Sequence, residues 1–189
     1  EDLLKDRRGN ISLTNINDLC RIAIDKVKRA YEKEIELYKI DIIFEPLNLP
    51  LMMEVSLEQL SNVLLSLLKN AMYAVTQKAK NTPYDAEISL KLAVDKDKLM
   101  IALHDNGTGI DDSIRDKIFA PFFTTKPTSE AAGVGLYLSR EIIQNHRGSI
   151  GVSSVKGQYT EFVIAIPVYQ PRTITHPEHP EEEPIKEKE

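Results

Sequence analysis

Apolar residues recur along this chain at spacings of two and of three to four, and the switches between these periods divide most of it into strands and helices. Ile11 and Leu13 alternate with polar neighbours, which predicts a short strand. Ile16, Leu19, Ala23, Val27 and Ala30 then recur at three and four, the stripe of an amphipathic helix opened by Asn15 or Asn17. Ile40, Ile42 and Phe44 alternate as a second strand, and Pro46 and Pro50 bracket a loop. Ser56 and Gln59 form a capping-box pattern that opens the strongest helix, predicted over 57–78, with Leu57, Leu60, Leu64, Leu67, Leu68 and Ala71 as its core face. Ile88, Leu90, Leu92 and Val94, then Leu99, Ile101 and Leu103, alternate on either side of a turn at 95–98, an antiparallel hairpin. A glycine loop at 105–109, a short helix at 112–118 and a long aperiodic loop at 119–134 follow. The pattern closes with a helix over 135–147 stopped by Gly148 and a last hairpin, 149–155 and 160–167, turning at 156–159.

Tight turns join most of the strand pairs. The order therefore predicts an α/β (α+β) two-layer sandwich, with a mixed, mostly antiparallel sheet and helices on one face. A doubly wound Rossmann sheet is disfavoured. Residues 1–9 read as the end of an upstream helix or linker, 10–168 as one domain, and 169–189 as a disordered tail, since its four prolines and six glutamates leave too little apolar surface to fold.

Charge narrows the class of partner. The tail carries −3 of the net −5, so the body is close to neutral and has no global attraction for nucleic acid. No apolar run approaches the ~20 residues of a membrane helix. The single Cys20 forms no internal disulfide, which suits a reducing cytoplasm, and reads as a buried helix thiol. The chain opens on Glu1 instead of Met, as expected of a fragment or a processed product; a membrane anchor upstream is compatible with it.

Four segments carry candidate chemistry. Asn62, Ser66, Asn70, Tyr73 and Gln77 draw a polar stripe along the long helix. A solvated face accounts for it; so does an amide-oxygen ligand at Asn70 for Mg²⁺, a hard cation that shares its shell with substrate phosphates. Asp105-Asn106-Gly107-Thr108-Gly109-Ile110 follows a strand, either as an Asn-Gly turn or as a carboxylate placed to accept from an exocyclic amino group. Ile118–Lys126 packs three Phe into five residues, core plugs or the anchor of a lid, with Lys126 solvated or facing a phosphate. Gly133-Val134-Gly135-Leu136 opens a helix, where free N–H groups favour phosphate. It is neither a Walker A loop nor a Rossmann fingerprint.

In this order the segments resemble the N, G1, F and G2 boxes of the histidine kinase catalytic domain, within the superfamily of DNA gyrase, heat-shock chaperones and mismatch-repair ATPases. "NVLLSLLKNAMYAV", "DNGTGI", "IFAPFFTTK", "GVGLYLSREIIQNHRGSI" and the closing "TEFVIAIP" carry the likeness, which covers about residues 10–168. The resemblance implies a Bergerat-type fold holding ATP and Mg²⁺. Asn70 would ligate the metal, beside Ser66 and Tyr73. Asp105 would bind the adenine amino group with the Thr160 hydroxyl, and Gly107, Gly109 and Ile110 would let the backbone pass the nucleotide. Phe119, Phe122, Thr125 and Lys126 would fix the lid, with Lys126 and Asn70 in catalytic roles. Gly133, Val134, Gly135 and Leu136 would bring N–H groups to the phosphates.

The activity implied is transfer of the ATP γ-phosphoryl to a histidine on a separate dimerisation segment of the same parent protein, with a response regulator as indirect partner. A monomeric cytoplasmic fragment without nucleic-acid or membrane contact is expected, cut from a parent that can be membrane-anchored. Some positions depart from the family pattern. Ser66 stands where histidine kinases commonly have Asn and the hydrolytic relatives a Glu that activates water, which favours transfer or mere binding over turnover. Tyr73 replaces a phosphate-facing Lys, leaving Lys69 or Lys126 to take its place; Tyr137 and Tyr159 replace glycines. His104, His146, His176 and His179 lack the sequence context of a phosphoacceptor and are expected to be structural or solvated. A nucleotide-binding regulatory module without transfer, and another ATPase or serine kinase of the superfamily, are the alternative readings.

Overall fold

Leu90, Leu103, Phe162 and Val152 face one another across four adjacent strands, and this apolar rung, with those beside it, defines the core side of the main sheet. The computed structural model describes residues 9–125 and 135–169. The main sheet comprises β2 (Asp41–Glu45), β4 (Glu87–Asp95), β5 (Lys98–Asp105), β6 (Ser149–Val155) and β7 (Tyr159–Pro167), in the order β2-β4-β5-β7-β6. Only β2 and β4 run parallel. Their connection passes through β3 (Met52–Ser56) and the helix α3 (Leu57–Asn81), the long crossover that a parallel pair requires. The sheet is thus mixed and mostly antiparallel, as the turns predicted.

Strict alternation in β4, β5 and β7 buries every second side chain: Ile88, Leu90 and Leu92; Leu99, Ile101 and Leu103; Phe162, Ile164 and Ile166. These pack against α3, the central helix, flanked by α1 (Ile16–Ala30) and α5 (Gly135–Asn145). Asn15 caps α1, its side chain accepting from the Asp18 N–H at 3.2 Å, and Ser56 caps α3 through the Gln59 N–H at 3.4 Å. Within α3, Leu60, Val63, Leu64, Leu67, Leu68, Ala71, Met72 and Val75 are buried. Among the described residues no helix is long and apolar enough to cross a membrane.

Several expectations are corrected. Leu57, assigned to the core face, is exposed although it is in line with the stripe, because it is the first residue of α3 and stands beyond Leu60, where the buried positions begin. β3 replaces part of the predicted loop and pairs with β1 (Ile11–Asn15) in a separate two-stranded sheet. Met53 and Val55 of β3 enter the core, so the register Thr14↔Met53 and Ser12↔Val55 turns Ile11 and Leu13 outward, Leu13 to 65 % exposure. A short helix, α2 (Glu32–Tyr38), precedes β2. α4 is a single turn, Asp112–Arg115. At the end of α5 it is Arg147, at φ +58°, that takes the left-handed conformation, while the Gly148 N–H donates back to the Ile143 carbonyl at 2.9 Å.

Cys20 is buried and desolvation pushes its thiol up to about 12, so it is inert packing. His146 is buried between helices: its Nδ1–H donates to the Ile142 carbonyl at 2.8 Å and its Nε2 accepts from the Ser56 N–H at 3.1 Å. That arrangement needs the neutral ring and ties the end of α5 to the start of α3. His104 stacks on Tyr159 with ring centroids 5.5 Å apart, so both rings serve structure. His176 and His179, with the tail, lie outside the described residues, as do residues 1–8.

Candidate functional site

The apolar ladder of the sheet ends in a polar rung. One step beyond Leu90–Leu103–Phe162–Val152, the register sets Ile88, Asp105, Thr160 and Ser154 side by side on the same core-facing surface. Asp105, Thr160 and Ser154 are each 4 % exposed. A buried carboxylate at the end of a hydrophobic ladder is costly unless something compensates it. One Asp105 oxygen accepts from the Gly107 N–H at 3.0 Å. Burial still lifts the carboxyl to about 7, against the opposing pull of that N–H and of Lys78. Asp105 and Thr160 both open onto a cavity of about 350 Å³, within the ~300–1,000 Å³ typical of small-molecule sites.

The loop after Asp105 is held from two sides. Asn106 clamps it to the start of β4: its Oδ1 accepts from the Glu87 N–H and its Nδ2 donates to the Asp85 carbonyl, both at 2.8 Å. The Lys78 ammonium donates to the Asn106 carbonyl at 2.9 Å and lies 4.5 Å from the centroid of the Tyr84 ring. Burial, then the charge of Asp105, pushes the Tyr84 phenol up to about 12. On the other side the loop leans on the β6–β7 turn. The Ile110 N–H donates to Ser154 Oγ at 2.8 Å, the Gly157 N–H to the Thr108 carbonyl at 2.6 Å, and Lys156 pairs with Asp111 at 2.8 Å. The two glycines of the loop serve this docking. A Cβ on Gly107 would lie 2.6 Å from the Ala74 carbonyl carbon of α3, and Gly109, at φ +64°, packs onto the Val155 backbone. At both glycines the space that a side chain would need is taken by neighbouring atoms of the protein itself.

Opposite the rung, α3 contributes Ser66, Lys69, Asn70, Tyr73 and Ala74 to the cavity wall. Of the polar stripe, Ser66, Asn70 and Tyr73 reach the cavity; Asn62 and Gln77 do not. Asn70 is half-buried there, its amide on the same cavity as Asp105. Among the described residues no group of three or more His, Cys, Asp or Glu could hold a metal. The donor set therefore fits Mg²⁺ only as an ion shared with phosphates, one amide oxygen coming from the protein. Lys69 is the one cationic side chain among the described residues lining the cavity.

The aromatic segment divides differently from the expectation. Phe123 lines the cavity with Thr124 and Thr125. Phe122, expected at the site, is 78 % exposed at φ +63°, because the turn that brings Phe123 in throws its neighbour out. Phe119 does not line the cavity; it meets Phe162 edge-on at 6.2 Å, with the Arg140 guanidinium 5.7 Å from its ring centroid, and so joins the segment to α5 and the core. Gly135 begins α5 so close to α3 that a Cβ would lie 2.7 Å from Ser66 Oγ. Gly109, Ile110 and Leu136 line the cavity, while Lys126, Gly133 and Val134 lie outside the described residues. Sequence reading passed over Lys78, Asn106 and Ser154 as site residues. Asn106 lies inside the Asp105–Ile110 motif but was given no role of its own, while no local motif marks Lys78 or Ser154, which register and loop docking bring there.

A family model described as "Histidine kinase-, DNA gyrase B-, and HSP90-like ATPase" matches residues 56–170. Among curated proteins, the signal transduction histidine-protein kinase AtoS of Escherichia coli (strain K12) is 39% identical over 111 residues, 59% of this chain and 17% of AtoS. The sensor histidine kinase ZraS of Salmonella typhi is 29% identical over 168 residues, 88% of this chain and 33% of ZraS. The chain therefore spans a third or less of the length of these relatives. Among solved structures, the catalytic domain of histidine kinase ThkA, in a nucleotide-free form, is 30% identical with a TM-score of 0.67, over 83% of this chain and 95% of that one.

Proposed function

Because the chain belongs to the histidine kinase-, DNA gyrase B- and HSP90-like ATPase family, and resembles histidine kinase catalytic domains over most of its described length, we propose that it positions ATP for transfer of the γ-phosphoryl to a histidine on a separate dimerisation segment of a longer sensor kinase. One observation carries this reading: the Asp105–Thr160 rung and the Asn70 amide, from two different layers of the fold, open onto a single cavity. In this reading Asp105 and Thr160 accept from the adenine amino group, and the ring lies along Ile110, Ile118 and Phe162. Asn70 offers its amide oxygen to Mg²⁺, Lys69 screens phosphate charge, and Gly135 presents the N-terminus of α5. When bound, Mg²⁺ supplies neutralisation of the phosphate charge; the remaining contribution of the chain is alignment. In this reading the ATP-binding unit runs over residues 10–168, an extent supported by the packing of α1 on α3 ahead of the family match.

Hydrolysis is the poorer fit. The acidic residues among the described cavity lining are Asp105 and Asp111. Asp105 is committed to the base end. Asp111 holds Lys156 at 2.8 Å and caps α4 through the Ser113 N–H at 2.9 Å, and these bonds keep its carboxyl well below the usual range. A carboxylate so stabilised is a weak base for activating water, and Ser66 on α3 is no substitute. The test mixes the chain with a histidine-bearing dimerisation segment and γ-labelled ATP. Acid-labile phosphohistidine on the segment, with little phosphate release by the chain alone, is the expected result. Tight ATP binding without any transfer would favour a regulatory nucleotide-binding module.

A further inference from the structure

Ser154 stands next to Thr160 on the polar rung, one strand farther from Asp105, and takes no direct part in the cavity wall. Its hydroxyl has three neighbours. It donates to the Tyr159 carbonyl at 2.7 Å, since a carbonyl can only accept. It accepts from the Ile110 N–H at 2.8 Å. The third neighbour is Thr160 Oγ1 at 3.0 Å. A hydroxyl carries one proton and two lone pairs, and the Ser154 proton is already used. Thr160 must therefore be the donor in this contact, which fills every hydrogen-bonding position of Ser154. With its own proton spent, Thr160 shows the cavity lone pairs alone. Beside it the ionised Asp105 is likewise an acceptor.

We infer that Ser154 is a specificity-positioning residue: by taking up the Thr160 proton it makes the base end of the cavity acceptor-only, so that it selects a 6-amino purine over a 6-oxo purine. This rests on the nucleotide reading above and deepens it. An amino group brings two donors to two acceptors. A 6-oxo group in the same place sets oxygen against oxygen, leaving buried acceptors unpaired. Without Ser154 the Thr160 hydroxyl is free to rotate and donate, and the 6-oxo base gains a partner.

The experiment compares ATP with ITP by titration calorimetry at pH 8 for the wild type and three variants, each checked for a cooperative thermal transition. The wild type binds ATP more tightly than ITP. Ser154→Ala lowers that preference roughly tenfold, the worth of one hydrogen bond gained by the oxo base, whatever the common loss in affinity from the unpaired Ile110 N–H. Ser154→Thr, which keeps the hydroxyl, retains the preference. Ser154→Cys, nearly the same shape with a much weaker acceptor, shifts it in the direction of Ala and serves where the alanine variant does not fold. A preference unchanged in the folded Ala or Cys variant overturns this inference while leaving the nucleotide site in place. A wild type that binds neither nucleotide overturns the site reading, and this inference with it.

Discussion

The two ends of the cavity are built from different material. The base end is sheet: Asp105, Thr160 and Ser154 lie on one rung across three strands, nearly inaccessible, each tied by hydrogen bonds to neighbouring backbone or side chains. The far end is helix: Lys69 and Gly135 are exposed and Asn70 half-buried, standing on the facing surfaces of α3 and α5. Asp105 and Thr160 stand on the inner strands β5 and β7, which are paired on both sides, and Ser154 on the edge strand β6 is paired with β7 and held by its own hydroxyl bonds, so the rung can hold donors and acceptors in a set polarity. Side chains on a helix surface keep more freedom and more water. In the proposed reading, base recognition would thus be built in before binding, whereas the groups assigned to the phosphates would be brought into order by ligand and metal.

Damage at the base end should therefore cost affinity first. Asp105→Asn should weaken ATP binding roughly 100-fold, the cost of losing a charged hydrogen-bond acceptor. The same change should sharpen the contrast through its pH dependence. The folded-state carboxyl is raised from 3.8 to about 7, so the folded protein holds this proton more tightly than the unfolded chain. Ionisation of Asp105 then opposes folding, and its effect is a loss of stability as pH rises from about 4 to about 7, complete above that. Thermal melts should show Asp105→Asn close to wild type at pH 4 and more stable at pH 8. ATP affinity of the wild type should rise as pH passes through about 7, and a flat profile would mean that the carboxylate form does not read the base.

Damage at the helix end should cost transfer more than binding. Asn70→Ala should slow phosphoryl transfer to the histidine segment by roughly 100-fold, a magnitude typical of removing one polar positioning group. Affinity for metal-free ADP should change little. An equal loss in metal-free binding would move Asn70 from the phosphates to the base. The smallest effect compares two adjacent aromatics. Phe123→Ala should lower ATP affinity roughly tenfold through lost apolar contact, while Phe122→Ala should stay within about twofold. The reverse order would show that the turn at 120–123 adopts another conformation when nucleotide binds.

Much of this was legible before any coordinates. The period-two runs in β4, β5 and β7 define the core face of the sheet because an alternating strand can bury only one side. The spacing of Leu60, Leu64, Leu67, Leu68 and Ala71 does the same for α3. Asp105, Asn70, Thr160, Gly135 and Leu136 stood out from their motifs, and all five reach the cavity. The outward turn of Ile11 and Leu13 was not legible, because an isolated alternating pair does not say which neighbour will supply the apolar face. β3 supplied it, with Met53 and Val55. The clearance needed at Gly107 and Gly109 was legible as a need for glycine but not as the reason, which is the approach of α3 and of the Val155 backbone.

Local sequence alone determined the elements, the inward faces of the long ones and the identity of the groups able to do chemistry, since periodicity, caps and glycine chemistry act over a few residues. Tertiary structure alone decided which of those groups meet. Asp105, Ser154 and Thr160 are separated by up to 55 positions in the chain, and only the strand order β5-β7-β6 and its register set them on one rung. Proton positions along that rung depend on who stands next to whom. That is a property of strand pairing, which no short stretch of chain contains.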